Sequence, residues 1–513
     1  MTSALRRHLT GPASSIFARV LLIGLALAGV TIAAFVLLRP YAILLGGDAS
    51  IFLTVGRGWL HGQVPYLDAW DHKPPLIYFW SALANLVAPR DPVLILEIFS
   101  AFAIAITALV LGHLTACLSG RRLVGAGAGI FTLLACANPY LSTGGGVTEL
   151  FALPAMVGAY SLLALAPVPH SRWRLLAVGG LWAIGFNSSL LAAVLGPVFI
   201  LTLWLGSPAQ GRDRVTGLLR ALALIGSGAL VVSVLIWLPL LAGGAGPAAF
   251  DILVGYDALY RASAIFAKNA WSAAIILFWP LYWPLIIIGF AKRSELRALL
   301  PGATWFFGGI GLLLWGIRLY PHYFLIVAPA LALLVASPTA VRLAASHHRL
   351  VGIFLSVMGM GILVLFFASA AAVGRRATNN NEVVAYIDAH SAENSRIYVW
   401  GFNDSIYLAS DRDVAGPYSY LYPLITPGYG PAASANMLAA WQVNPPALII
   451  DSSSASPDGT VTPPLLLPHA FAQNNNFDNR TLSADLDPLR AFVASHYHLV
   501  ADFEGQGVYA RNP

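Results

Sequence analysis

Long apolar runs constrain this chain more than any other feature. Residues 16–38, 92–117, 221–241, 271–290 and 351–373 are each close to or above the ~20 apolar residues that a helix needs to cross a hydrocarbon core about 30 Å thick. Shorter or interrupted apolar stretches lie at 123–137, 149–166, 175–186, 189–205, 303–317 and 323–336. Taken together they read as eleven membrane spans. Asn187, Ser188 and Ser189 are the only polar break between the fifth and sixth. The chain is 58% hydrophobic and only 10% charged, against roughly 25% charged residues in a soluble domain. That excludes a soluble enzyme and a disordered chain.

Basic residues test the count. Arg6, Arg7 and Arg19 precede the first span; Arg121 and Arg122 follow the second; Arg172 and Arg174 follow the fourth. Arg212, Arg214 and Arg220 follow the sixth, Lys292, Arg293 and Arg297 the eighth, and Arg342 and Arg349 the tenth. Every second loop is thus basic, which places those loops and the N-terminus in the cytoplasm and the C-terminus outside. The alternation holds only when 175–205 crosses twice. It also accounts for most of the net charge of +6, and no Lys/Arg-rich run points to nucleic acid. The first run is longer than the apolar core of a cleaved signal peptide. Cys117 and Cys136 fall at opposite ends of neighbouring spans, so they read as small buried hydrophobes and not as a disulfide.

Composition changes after residue 373. A polar linker, 374–381, leads into a segment with globular character. A short helix is expected at 382–389, strands at 396–400 and 447–451, and a Pro-rich loop at 462–468. The expected organisation is a polytopic α-helical membrane domain, 1–377, followed by an extracytoplasmic α/β domain, 378–513. In that domain Trp400, Tyr407, Tyr418, Tyr420 and Tyr422 read as packing residues, and Asp404 and Asp411 as solvated turns.

The polar residues with chemical potential gather on the outer side. The first outer loop, 39–91, is long and carries Asp48 after a Gly-Gly pair, then Asp68, Asp71, His72 and Lys73 stiffened by Pro74 and Pro75. Its apolar and aromatic flanks suit interfacial helices. Glu149 opens the fourth span behind the glycine-rich stretch 138–146, which lacks the ending of a nucleotide-binding P-loop. Arg318, Tyr320, His322 and Tyr323 form a second polar knot. The loop 243–269 reads as an ordinary solvated connection. A carboxylate over a lipid-embedded substrate can take a proton from a hydroxyl, and Lys, Arg or His can stabilise a phosphate leaving group. Interfacial anchoring and loop ion pairs are the commoner uses of such residues and stay open at this level.

Two segments resemble the GT-C superfamily of membrane glycosyltransferases, in its protein-mannosyltransferase-like and aminoarabinose-transferase-like bacterial branch. The pattern G-x-x-P-Y-x-D-x-x-x-x-K-P-P-L is matched by Gly62, Pro65, Tyr66, Asp68, Lys73, Pro74, Pro75 and Leu76, behind the acidic Asp48. An R-x-Y-x-H-Y-F segment is matched by Arg318, Tyr320, His322, Tyr323 and Phe324, and Glu149 sits at the start of the fourth span. The IYVWG run ending at Gly401 is similar to the strand that opens the soluble tail of bacterial members. The resemblance implies a polyprenyl-phosphate-linked sugar as donor, and a lipid, glycan or protein acceptor. It implies transfer with inversion on the outer face of the bacterial cytoplasmic membrane. Asp48 would be the catalytic base, with Lys73, Arg318 and His322 at the donor phosphate. Asp68, Asp71, His72, Glu149 and Tyr320 would support the substrates. No cofactor is required; a divalent metal on Asp48, His72 or Glu149 is compatible with the residue types.

Two departures stand out. Ala49 follows Asp48 where many relatives have a second carboxylate, and Asn187 and Ser188 stand where many carry a lysine. The competing readings are a transporter of a lipid-linked substrate, which would place ionisable groups near mid-span in repeated halves, and a non-catalytic envelope assembly protein.

Overall fold

The structure is a computed structural model that describes residues 24, 47–165, 170–262, 284–316, 320–346, 380–453, 462–466 and 479–513. The expected spans at 16–38 and 351–373, most of 271–290, and the domain boundary at 377/378 lie outside those residues. Among the described residues, three helices are long and apolar enough to cross a bilayer: Pro92–Ser119, Gly211–Ala242 and Leu296–Trp315. A fourth crossing is available to the pair Pro321–Val335 and Pro338–Ser346, which is bent by 59°. Arg122–Cys136, Thr148–Ala164 and Arg172–Ser188 are helices of 15 to 17 residues, shorter than a straight ~30 Å span requires. The expected eleven spans are therefore not all unbroken full-length helices.

The polar break separates two elements, as its composition suggests. Arg172–Ser188 stops, Ser189 is extended, and the chain resumes as a 3₁₀ turn, Leu190–Val194, before the helix Leu195–Gly206. Asn187 stays buried with its amide satisfied: Nδ2 donates to Ala183 O at 2.8 Å and Ser233 Oγ at 3.0 Å, and Trp237 Nε1 donates to Oδ1 at 2.7 Å. Complete pairing removes the cost of an amide in an apolar setting.

Glycine sets the closest helix contacts. A Cβ on Gly179 would collide with the Ile225 carbonyl, and one on Gly228 with the Leu176 carbonyl. The helices Arg172–Ser188 and Gly211–Ala242 therefore touch backbone to backbone, the small-residue packing that lipid-embedded helices favour. The same holds between Gly112 and Gly125 in the helix pair Pro92–Ser119 and Arg122–Cys136. Asp91 caps the first of that pair by accepting from Leu94 N, and left-handed Gly120 ends it. Cys117 and Cys136 are both free thiols.

The first long loop forms two helices, Gly47–Leu60 and Leu76–Val87. The first does not lie on a surface as an interfacial helix would. It is buried from Ser50 to Gly58, because Gly56 lets it press on its partner: a Cβ there would sit 2.5 Å from Ala82 N. Asn85 Nδ2 then donates to Leu53 O and locks the pair.

The C-terminal segment is α/β, as expected. Strands β1 (Arg396–Trp400), β2 (Asp413–Val414), β3 (Leu448–Asp451), β4 (Tyr497–Phe503) and β5 (Gln506–Arg511) form a sheet in the order β2-β1-β3-β5-β4. β2, β1 and β3 run parallel, with Tyr398 opposite Ile449; β5 and β4 add an antiparallel edge. The expected helix is Asn381–His390. The β4–β5 hairpin turns at Glu504 and Gly505, both left-handed. One apolar core runs from the first loop (Phe52, Tyr66, Trp70, Tyr78) through Tyr256 and Tyr260 into the sheet domain (Tyr398, Trp400, Tyr420, Trp441). The five aromatics assigned to packing include Trp400 and Tyr407, both fully buried.

Candidate active site

Asp48 occupies the first turn of Gly47–Leu60, where the helix dipole favours a carboxylate. Its position follows from the glycine-rich stretch. Gly144, Gly145 and Gly146 have φ of 84°, 102° and 77°, a run that only glycine tolerates readily, and Thr143 before them is left-handed too at 48°. Gly146 N donates to Ser100 Oγ at 2.8 Å, and a Cβ on Gly146 would lie 2.8 Å from Ala49 Cβ. The turn thus abuts the residue after Asp48. The small Ala49 that replaces a second carboxylate is what this contact accommodates.

Lys73 is held by its backbone. Tyr66, itself at φ 70°, donates from its hydroxyl to Lys73 O at 2.6 Å, and Lys73 N donates to Tyr78 Oη at 3.0 Å. The ammonium is then free to point away: Nζ donates to Tyr323 Oη at 3.4 Å and lies 5.6 Å from that ring's centroid. Burial works against its charge, but Tyr323 and the carboxylates of Asp48, Glu149 and Asp71 outweigh it and push the Lys73 pKa well above the usual lysine range.

His322 is 7% exposed and its Nε2 lies 3.7 Å from Asp48 Oδ2. Tyr320 stacks on its ring, and Tyr323 meets it edge-on at 4.6 Å. Glu149 is 1% exposed. Its Oε1 accepts from Thr148 Oγ1 at 2.9 Å and Ser189 Oγ at 3.1 Å, while Oε2 has no hydrogen-bond partner among the described residues. Ser189 is the residue at the helix break, so that break carries a polar contact to the site.

Asp48, Lys73, Glu149 and His322 come together, with Tyr320 and Tyr323 as the aromatic wall. The remaining candidates do other work. Asp71 is buried and accepts from Tyr78 at 2.9 Å and Tyr420 at 2.6 Å, so it braces the loop. His72 Nδ1 pairs with Asp257 Oδ1 at 2.9 Å under Tyr256 and Tyr260. Asp68 is exposed and accepts from Val64 N, which closes its own turn. Arg318 lies outside the described residues.

Two expectations about loops are corrected. The stretch around Tyr256 and Tyr260 is not a solvated connection, since both side chains are buried in the shared core. Asp404 is not a solvated turn either; at 1% exposure its carboxyl is pushed well above the usual range by burial. Asp411 is exposed, as expected. Asp48, His72 and Glu149, the candidate metal ligands, do not converge: no group of three His, Cys, Asp or Glu side chains fit for a metal occurs among the described residues.

Sequence reasoning missed the groups that position the site. Tyr78 and Tyr420 look like packing residues until their hydroxyls are seen on Asp71. Buried Arg57 donates to Tyr407 O at 2.8 Å and to Arg412 O, joining Gly47–Leu60 to the sheet domain. Glu97, 4% exposed within an apolar span, is a buried ionisable group that the sequence alone makes visible.

No family model and no curated protein matches the sequence. Solved structures do. ArnT from Cupriavidus metallidurans, bound to undecaprenyl phosphate, matches with a TM-score of 0.54 at 15% identity, over 94% of this chain and 97% of its own. An oligosaccharyltransferase from Archaeoglobus fulgidus, in complex with zinc and sulfate, matches with a TM-score of 0.46 at 11% identity, over 83% and 68%. The fold is thus one that the chain shares with ArnT across nearly its whole length, in line with the GT-C-like architecture expected from the motifs.

Proposed function

We propose that this chain is a membrane glycosyltransferase that moves a monosaccharide, with inversion, from a polyprenyl-phosphate donor to an acceptor hydroxyl of a lipid, glycan or protein. The observation that carries the reading is the pairing of Asp48 with buried His322 beside the Lys73 ammonium. It sits in a fold shared with ArnT, whose structure holds undecaprenyl phosphate. The setting is the outer face of a bacterial cytoplasmic membrane, where no nucleotide is needed because the phosphodiester is already activated.

In the reaction the acceptor oxygen forms a bond to the anomeric carbon from the side opposite the phosphate. The bond from that carbon to the phosphate oxygen breaks, and polyprenyl phosphate leaves with the electron pair. Asp48 takes the acceptor proton. Its side chain is 41% exposed, so an acceptor can reach it. Lys73, with a charge reinforced by surrounding carboxylates, neutralises the departing phosphate. His322 orients the Asp48 carboxylate, and Arg318 adds a second cation to the phosphate.

A reconstituted assay with a panel of polyprenyl-phosphate sugars, reading which donor is consumed, tests this directly. Asp48→Asn is expected to purify normally and to lose transfer by at least about a hundredfold. Near wild-type turnover by that variant would remove Asp48 as the base.

A further inference from the structure

The helix that carries Asp48 is gripped at its far end. Arg57, in the last turn of Gly47–Leu60, has a side chain only 7% exposed. Its Nη1 donates to Tyr407 O at 2.8 Å and its Nη2 to Arg412 O. Both acceptors belong to well-tied parts of the sheet domain. Tyr407 Oη accepts from Val399 N of β1 at 2.8 Å, and Arg412 Nε donates to Ser391 Oγ at 3.0 Å. Asp413, which opens β2, lies 3.6 Å from Arg57 Nε and 3.1 Å from His61 Nδ1. Asp411 stands 3.5 Å from Nη1, but its side chain is 85% exposed and water screens the pair. A buried cation is costly, and an apolar side chain of similar volume often serves packing as well. A guanidinium differs in being a planar fork, which fixes orientation as well as place.

We propose that Arg57 is a positioning residue for the base: through it the sheet domain sets where Asp48 stands relative to His322. The inference rests on Asp48 acting as base in the glycosyl-transfer reading above. Asp48 and Arg57 are nine positions apart, about two and a half turns and roughly 14 Å of helix. They therefore leave the helix on opposite faces. Arg57 turns to the sheet domain, and Asp48 to His322, whose Nε2 is 3.7 Å from its Oδ2. The helix meets its neighbour Leu76–Val87 at a glycine: a Cβ on Gly56 would lie 2.5 Å from Ala82 N. Asn85 adds a bond to Leu53 O. A contact that smooth, with one bond as pivot, holds the helices together but gives little resistance to rotation about the helix axis. Rotation swings Asp48 away from His322, and a fork closed on two carbonyls opposes it.

The test is a double-mutant cycle on the full chain, in proteoliposomes of bacterial polar lipid extract, reading consumption of the polyprenyl-phosphate sugar that the donor panel identifies. Arg57→Met keeps the length and removes the fork. It should lower kcat by about tenfold to a hundredfold, the scale of a base displaced by about 1 Å, with the donor KM within about twofold of wild type. In an Asp48→Asn background the same substitution should cost less than about twofold more, because a residue that acts through Asp48 has nothing left to position. Arg57→Lys, which keeps the charge without the fork, should fall between wild type and Arg57→Met, and it carries the cycle if Arg57→Met does not fold. Equal fractional losses in the two backgrounds would make Arg57 a structural residue and overturn the proposal. So would a wild-type kcat in Arg57→Met, or a loss confined to donor KM. Near wild-type turnover by Asp48→Asn alone, or no donor consumed by the wild type, overturns the underlying reading instead, and either is seen before the double variant is made.

Discussion

The hydroxyl of Tyr420 donates a 2.6 Å hydrogen bond to Asp71, a residue 349 positions earlier in the chain. Asp71 also accepts from Tyr78, whose oxygen receives the Lys73 backbone N–H. The sheet domain is therefore wired through two tyrosines to the segment that aims the Lys73 ammonium. Removing the first link by Tyr420→Phe leaves a buried carboxylate one donor short, a loss of about 1.5–3 kcal/mol. Thermal unfolding in detergent should show it, and donor KM should rise while Tyr420 itself touches no substrate. An unchanged donor KM alongside a lowered Tm would reduce the link to plain packing.

Lys73 makes a prediction about pH. Its pKa is raised in the folded chain, so its charge, and whatever that charge stabilises, is complete at any pH below the ordinary lysine value and is lost only as pH rises through the higher folded value. Donor KM should accordingly stay flat from about pH 6 to pH 10 where lysine titration is concerned. Lys73→Ala should raise it by about tenfold or more throughout. A donor KM that climbs steeply near pH 8 in the wild type, and not in the variant, would contradict the raised pKa.

The glycine contacts predict a sharp steric limit. Gly179→Ala places a methyl into the Ile225 carbonyl, so the helices must separate, at a cost of about 1–3 kcal/mol. Gly127→Ala, in the helix Arg122–Cys136 with open space around it, should be neutral or slightly stabilising. Expression level and Tm in matched detergent distinguish the two; equal behaviour would mean the first contact is looser than the structure shows.

Glu295 offers an acid-side test away from the site. Arg342 donates to both of its oxygens, at 2.9 and 3.0 Å, and Lys292 N and Thr339 add further bonds, so its pKa is lowered to about 2. A depressed carboxylate contributes stability that is full above the unfolded value, near 4.5, and drains away as pH falls towards 2. The Tm of Glu295→Gln should therefore lie below wild type at neutral pH and converge with it in that acid window. Parallel curves through the window would exclude this ion pair as their cause.

Much of this architecture was legible because its causes are local. Hydropathy marked the apolar segments, and the polar triplet at 187–189 marked a true helix break. The IYVW and ALIID runs became β1 and β3 at almost the expected bounds. The candidate site's members were legible where charge is scarce: Asp48, Lys73, Glu149 and His322 stand out in a chain with so few ionisable residues, and they meet. What escaped were relations between distant segments. Tyr420 carries nothing in its own surroundings that names Asp71 as its partner. Arg57 stands in the last turn of Gly47–Leu60, yet it is buried against two carbonyls of the sheet domain. Asp404 sits in a turn-like context, yet a core closes over it.

The aromatic core that passes from Trp70 through Tyr256 into Trp400 and Trp441 has a consequence for inheritance. A boundary drawn where the apolar spans end would divide this chain through the middle of one packed unit. Exchanging the tail between related proteins, or expressing it by itself, would strip Tyr420 and Tyr429 of their partners Asp71 and Trp70. The residues that must travel with the sheet are those around Trp70 and Tyr256, hundreds of positions away, and variation in the two regions is free to accumulate only in concert.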